Sequence, residues 1–270
     1  MRAFSFFLLL GLTACATTPE LEPDTRTQEL KDEIRVGREI ASRIIGQYGL
    51  IPGEGSQELT EYVNLVGASL VPHSGRPEVS YRFAVLNTEE INAFAAPGGY
   101  LFVTYGLLKV IQNEDELAGV LGHEIAHITE RHLNREVLPK RQVEAGEIFT
   151  RMLSRGSSDL AFSMTRMVQA GLEILLEKGL GPEREHEADL GGVIYASAAG
   201  YEPRALGSLL SRLEKRASEG RLPKTHPPFP ERIAKLYATT PEGPASSSKT
   251  FRIRMKRFQE VMAKLPRRSS

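Results

Sequence analysis

The sequence predicts a mainly helical α+β domain with a small β-sheet, on three observations. Apolar residues recur at helical spacing through several segments, among them the run from Glu114 to His132. Two short stretches rich in aromatic and branched residues, Tyr81 to Leu86 and Tyr100 to Thr104, read as strands. Between them Pro97-Gly98-Gly99 forces a tight turn, and the second strand leads into a helix around Leu107.

In chain order, Met1 to Ala14 carries one early charge, Arg2, and an apolar core from Phe4 to Leu12. That core is too short to span a bilayer and fits the apolar region of a secretory signal. Leu12-Thr13-Ala14-Cys15 resembles a bacterial lipobox, in which cleavage precedes a cysteine that becomes lipid-modified. An ordinary signal with an incidental cysteine is the alternative. Cys15 is the only cysteine of the chain, so disulfide pairing within it cannot be its purpose. Ala16 follows, and in a host with two membranes the lack of Asp there resembles lipoproteins sent on to the outer membrane. A multiply acylated cysteine would be a stable anchor. The expected organisation is a signal at residues 1–14, a lipidated cysteine and tether at 15–27, and one large domain at 28–270.

Within that domain, Gln28 to Tyr48 and Gln57 to Leu70 carry helical stripes. Leu160 to Leu176 is apolar but interrupted by Arg166, Gln169 and Glu173, so it reads as an amphipathic helix and not a membrane span. The 34 basic and 34 acidic side chains balance, which gives no hint of a nucleic-acid partner. No internal repeat is present.

The chemistry concentrates in Leu121-Gly122-His123-Glu124-Ile125-Ala126-His127-Ile128. Four residues of helix turn through about 400°, so His123 and His127 leave one face about a turn apart and can clamp one metal ion. Glu124 lies about 100° round from His123, near enough to hold a water on that ion without being a ligand. The residues beside these three are uncharged, as suits a helix buried against a cleft. A catalytic zinc site normally takes three protein ligands and keeps one position open, so a third must lie elsewhere.

The segment Gly181-Pro182-Glu183-Arg184-Glu185-His186-Glu187-Ala188-Asp189 offers it. H-E-x-x-H, then E-x-x-A-D, then a His-Pro pair with an Arg six residues after that His, resembles the M48 family of zinc metallopeptidases; the likeness runs from about Asn87 to Tyr237. It implies a zincin-like fold with one zinc ion per chain, Glu185 as third ligand, and Asp189 supporting a ligating histidine. Glu185 and Asp189 are one helical turn apart, so both can point at the same ion.

Asn92-Ala93-Phe94-Ala95-Ala96-Pro97-Gly98-Gly99 is similar to the family's N-A-F-A-x-P-G-G segment, which forms the sheet edge beside the metal cleft. The resemblance implies an edge-exposed sheet on which Asn92, Pro97, Gly98 and Gly99 mark the strand that takes an extended substrate. A plain β-hairpin without a ligand is the alternative. Thr225-His226-Pro227 and Arg232 match the family's later motif. There the His and Arg stabilise the oxyanion, or the His occupies the fourth metal position and holds the enzyme inactive; both are physically reasonable. Gly181-Pro182 departs from the Ser-Arg of many relatives, although Pro182 suits the first turn of a helix.

Asn134 to Lys178 reads as a helical pair hinged at Gly156-Ser157-Ser158, a flap over the cleft. His132, nine residues after His123, is expected on the opposite side of one straight helix and solvated; His186 faces away from the ion, and His73 sits in a loop. Glu202 to Ala217 is a further amphipathic helix. In the basic tail, Lys249 to Arg268, the stripe Phe251, Met255, Phe258, Met262 and Leu265 docks a last helix on the domain; contact with anionic lipid is the other reading.

Together these features imply a zinc endopeptidase of the bacterial envelope. Its substrates would be unfolded or misassembled proteins, alongside outer-membrane assembly machinery, with a non-proteolytic or latent zinc-bound scaffold as the alternative.

Overall fold

The computed structural model describes residues 23–137, 157–217, 229–240 and 248–264. Helix α1 (Pro23–Tyr48) and helix α2 (Ser56–Leu70) precede the strands β1 (Arg82–Leu86), β2 (Ala93–Ala96) and β3 (Tyr100–Thr104). Then come α3 (Tyr105–Leu108), α4 (Glu114–Thr129) and α5 (His132–Val137). After residues 138–156, α6 (Ser157–Glu173) runs into a π-helical turn, Ile174–Lys178. The remaining helices are α7 (Pro182–Ala198), α8 (Ala205–Ala217), α9 (Phe229–Thr239) and α10 (Ser248–Met262). Helix α1 thus begins inside the stretch expected to be a tether. Cys15, the hinge at Gly156 and His226 lie outside the described residues, and no described helix is long and apolar enough to cross a membrane.

The sheet order is β1-β3-β2, with β1 parallel and β2 antiparallel to β3, so β2 is an edge strand of this mainly helical α+β domain. Alternation of side chains along each strand divides the core in two. Phe83, Val85, Ala95, Leu101 and Val103 face a cluster shared with α2, α4, α7 and α8. Phe94, Ala96 and Phe102 face the other way, onto Val36, Ile40 and Ile44 of α1 and Val168 of α6. Among the described residues the sheet is therefore covered on both faces, and an edge of β2 is left to line a cleft.

Two close approaches decide where the site forms. A Cβ on Gly122 of α4 would lie 2.7 Å from the carbonyl oxygen of Gly192 on α7, and one on Gly192 would lie 2.6 Å from the backbone nitrogen of His123. Only glycine at both positions lets the two helices cross backbone to backbone. The Pro-Gly-Gly turn is held against α1: Gly98 (φ 73°) donates its N–H to Glu33 at 3.1 Å, and a Cβ on Gly37 would overlap the Pro97 carbonyl oxygen. Arg76 binds the same Glu33 oxygen at 3.0 Å and the Ile128 carbonyl at 3.3 Å, tying turn, α1 and the end of α4 together.

Helix α4 starts on a capping Asn113, whose side chain accepts from the Glu116 N–H at 2.9 Å. The acids of its first turn suit the positive end of the helix dipole, yet they are buried, which charges seldom are without partners. Glu114 pairs with Arg257 and accepts from Tyr62 and Tyr201; Asp115 pairs with Arg254, and Glu116 with Arg212. Two of those arginines come from α10, which docks through Phe258 and Val261 in the core. The tail is thus docked as read, but Phe251 is exposed and Val261 takes its place in the buried stripe, because the arginines fix how α10 is rotated. Leu265 lies outside the described residues.

Candidate metal centre

Helix α4 carries His123 and His127, and α7, entered through Pro182 at its first turn, carries Glu185 and Asp189. The Nε2 atoms of the two histidines are 3.0 Å apart. Glu185 Oε2 lies 3.7 Å from His123 Nε2, and Glu185 Oε1 lies 3.6 Å from His127 Nε2. All three side chains are buried. Ligands at about 2.0–2.1 Å from a tetrahedral zinc stand a little over 3 Å from one another, so this triangle fits one such ion.

Charge supports the same fit. Glu124, Glu185 and Asp189 are buried carboxylates, and Arg232, bound to two of them, offsets one of the three charges. A divalent ion would offset the other two, whereas leaving buried charge uncompensated is costly. The donor set, two imidazoles and a carboxylate with Glu124 adjoining, is that of a hydrolytic zinc site and not of a closed structural one.

Each of the two candidate ligand histidines is held from behind. His123 Nδ1 lies 2.9 Å from Asp189 Oδ1. Burial alone would raise the Asp189 pKa, but the Arg232 guanidinium and His123 outweigh it and hold the carboxyl at about 2. Burial alone would likewise lower that of His123, and Asp189 with Glu185 raises it instead. His127 Nδ1 lies 2.9 Å from Nδ1 of His132, and His132 Nε2 lies 2.9 Å from Glu187 Oε2. Were Nε2 of His127 to hold a metal ion, its Nδ1–H would donate to His132, which would donate in turn to Glu187. Burial lowers the His132 pKa, in keeping with the neutral ring that this requires.

His132 is thus a correction: expected to be solvated, it is fully buried behind a ligand. The helix ends at Thr129, and Arg131, at φ 54°, turns the chain so that α5 folds back. The His132 carbonyl accepts from the Arg184 guanidinium at 3.2 Å, a pairing too far apart in sequence to be read from it. His186 faces Glu231 at 3.3 Å, away from the ligand triangle, and His73 is exposed.

Arg232, for which the resemblance implies an oxyanion role, lines the cleft and is bound to two of the buried carboxylates. Its Nε and Nη2 grip the two oxygens of Asp189 at 2.7 and 2.6 Å, and Nη1 lies 3.0 Å from Glu185. Two buried carboxylates need a counter-charge, and the planar fork supplies it bidentately.

The cleft runs along β2. On the His127 side it is lined by Ala93, Phe94, Ala95, Glu124 and Glu185, and on the His123 side by Ile91, Asn92, Ala93, Glu124 and Arg232. Asn92 is buried, its side chain accepting from the Ala93 N–H at 2.9 Å at the head of the strand. Pro97, Gly98 and Gly99 lie at the far end, against α1 and Ser80, so the strand that borders the cleft is Ala93–Ala96.

The family model for peptidase family M48 matches residues 57–240. The beta-barrel assembly-enhancing protease of Escherichia coli is 30% identical over 221 residues, covering 77% of this chain and 44% of that protein. The mitochondrial metalloendopeptidase OMA1 of Schizosaccharomyces pombe is 30% identical over 219 residues, covering 78% of this chain and 61% of its own. The chain therefore spans less than two thirds of the length of either relative.

Proposed function

The chain belongs to peptidase family M48, and from that premise we propose that it is a zinc-dependent endopeptidase, with one zinc ion held by His123, His127 and Glu185. The observation that carries the reading is the meeting of three ligand atoms from two helices, with Glu124 in a cleft lined by β2, the edge strand of the described sheet. When bound, zinc supplies Lewis acidity, polarising a carbonyl and acidifying a water to a pKa of about 7. The backbone of β2 positions an extended substrate through main-chain hydrogen bonds with little side-chain demand. Glu124 takes the proton of the attacking water and delivers it to the leaving amine. Asp189 and His132 hold the ligating rings in their tautomers.

The test compares casein cleavage and zinc content of wild type and Glu124→Gln. Cleavage falls by about 10²–10⁴-fold with zinc retained; undiminished cleavage would refute the mechanism. A zinc-replete but inert wild type would favour a latent form or scaffold. Substituting His226 then separates its two roles, since activity falls if it is an oxyanion donor and rises if it plugs the fourth position.

We place the enzyme in the bacterial envelope, lipid-anchored at Cys15 and facing the periplasm, with the outer membrane favoured by Ala16. The lipobox-like Leu12-Thr13-Ala14-Cys15 supports the anchor, and the name of the Escherichia coli relative, a beta-barrel assembly-enhancing protease, supports a place beside the outer-membrane assembly machinery, where we take unfolded or misassembled envelope proteins as the substrates. Cys15→Ala should move the protein from the membrane to the soluble fraction; an unchanged distribution would remove the anchor.

A further inference from the structure

Docking on the domain and contact with anionic lipid use opposite faces of α10, so the two readings of the basic tail are compatible. Phe258 and Val261 enter the core, and Arg254 and Arg257 turn inward to Asp115 and Glu114. Lys249, Arg252, Ile253 and Lys256 are left on the outer face, at i, i+3, i+4 and i+7 of one helical stripe, and all four are exposed. Lys256 makes a wide, exposed pair with Glu260 at 3.7 Å; among the described residues no ion pair compensates Lys249 or Arg252. The chain as a whole balances 34 basic against 34 acidic side chains, yet Lys249 to Arg268 holds eight of the basic ones and a single acid, Glu260.

Helix α2 lies beside α10 and runs antiparallel to it. Lys264 reaches Glu58 at 2.7 Å at one end; at the other, Arg254 stacks over Tyr201, whose hydroxyl lies 3.3 Å from that of Ser69. Leu65 shares a helical stripe with Glu58, Tyr62 and Ser69, and Ile253 shares one with Arg257, whose partner Glu114 also accepts from Tyr62. Leu65 and Ile253 therefore belong to the stripes that meet, but they are 56% and 57% exposed. They crop out on the outer side of the seam, where Ile253 stands among the cations.

We propose that the outer face of α10, with Leu65 of α2 at its margin, is a membrane-contact surface for an anionic lipid bilayer. The ammonium and guanidinium groups meet phosphate headgroups, and the two aliphatic side chains enter the boundary between headgroups and acyl chains. A single exposed leucine is commonplace on a protein surface; two large aliphatic residues on adjoining helices beside three cations form a patch with a matching partner. A nucleic acid would find no aromatic side chain in this stripe on which to stack a base. Among the described residues no part of α2 or α10 lines the cleft, so a chain held on the bilayer by this face keeps its cleft open. The contact requires neither the peptidase reading nor the anchor at Cys15.

The experiment measures co-sedimentation of the full chain carrying Cys15→Ala, which excludes acylation, with phosphatidylcholine vesicles that do or do not contain phosphatidylglycerol. The apolar leader is common to every variant, so differences between variants read α10. The parent chain should favour the anionic vesicles and lose that preference as salt is raised. Replacing Lys249, Arg252 and Lys256 by Gln should weaken binding to them by about fivefold per cation and about a hundredfold together. Leu65→Ser combined with Ile253→Ser should weaken it by about tenfold or more. Arg43→Gln, exposed on α1 at the other face of the sheet, is the control and should bind as the parent does. All the substituted side chains are exposed, and an unchanged melting temperature verifies that each variant is folded. Binding to anionic vesicles that survives the triple substitution overturns the proposal. So does full-strength binding without Leu65 and Ile253, or displacement of the vesicles by polyglutamate or duplex DNA at equal charge, either of which would make this face a site for acidic macromolecules in general.

Discussion

His132 Nδ1 lies 2.9 Å from His127 Nδ1, in a fully buried position that leaves the imidazole of His127 one way to face. Asp189 holds His123 directly, and Glu187 holds His127 through the second ring. Such outer partners typically contribute 10–100-fold to metal affinity. We expect His132→Phe to weaken zinc binding by about that factor in chelator competition. His132→Gln, whose amide oxygen still accepts from Nδ1–H, should retain more. Glu187→Gln should cost least, because that carboxylate is 55% exposed. Equal zinc affinity in His132→Phe and wild type would assign His132 to packing alone.

The Gly122–Gly192 crossing gives a second expectation. A methyl at residue 192 would stand 2.6 Å from the His123 nitrogen, and backbone cannot yield as a side-chain tip can. Gly192→Ala should therefore destabilise the fold by about 1–3 kcal/mol or more and lower zinc affinity along with it. Gly46→Ala is the control, since nothing lies within 4 Å of the added carbon on that side of α1. A melting temperature and zinc affinity unchanged in Gly192→Ala would show that the crossing has slack.

How far the site was legible follows from the range of each signal. His123, Glu124 and His127 are set by one helical turn, so their spacing alone implied a clamp and a base. Glu185 and Asp189 share a turn too, and the family motif tied them to the first pair. His132 was misplaced because nine residues of ideal helix lead to the opposite face, while the real helix stops at Thr129 and Arg131 reverses the chain. Pairings across the fold left no local trace: the stripe implied that the basic tail docks, but not that Arg254 and Arg257 meet Asp115 and Glu114. Arg232 is of the same kind, since its motif marked it as important without saying which charges it meets. The edge strand was legible, but the Pro-Gly-Gly beside it proved to be the anchor on α1 and not the part that borders the cleft.

Arg232 is expected to be required for the centre's assembly more than for any one chemical step. Arg232→Met leaves Asp189 and Glu185 without their buried partner, an arrangement that costs roughly 3–5 kcal/mol when one member of such a pair is removed. Zinc would recover part of this by neutralising Glu185, so the melting temperature of the variant should rise more on zinc addition than that of wild type. Arg232→Lys restores the charge but not the bidentate grip and should fall between the two. A variant as stable as wild type without zinc would mean that the carboxylates are neutralised in some other way.

The anchoring of α4 makes stability sensitive to alkali. Tyr62 donates to Glu114 at 2.9 Å, and its burial, followed by the Glu114 charge, pushes the phenol pKa above the usual range. Tyr201 shares that carboxylate at 3.2 Å and is shifted the same way. A raised folded-state pKa means that the unfolded chain gives up the proton first. The stability linked to Tyr62 is therefore complete below the ordinary tyrosine value of about 10 and is lost as pH rises beyond it, at up to about 1.4 kcal/mol per pH unit for each tyrosine. Tyr62→Phe removes one of the two titrations and also one hydrogen bond to a buried carboxylate. At neutral pH it should be less stable than wild type by about 1.5–3 kcal/mol. Above the tyrosine range the gap should narrow, because wild type carries a penalty that the variant lacks. Urea unfolding over a pH series reads both effects. Curves that stay parallel from neutral pH into alkali would show that Tyr62 ionises as easily in the folded protein as in the unfolded one, and that the carboxylate at the head of α4 does not hold its proton in place.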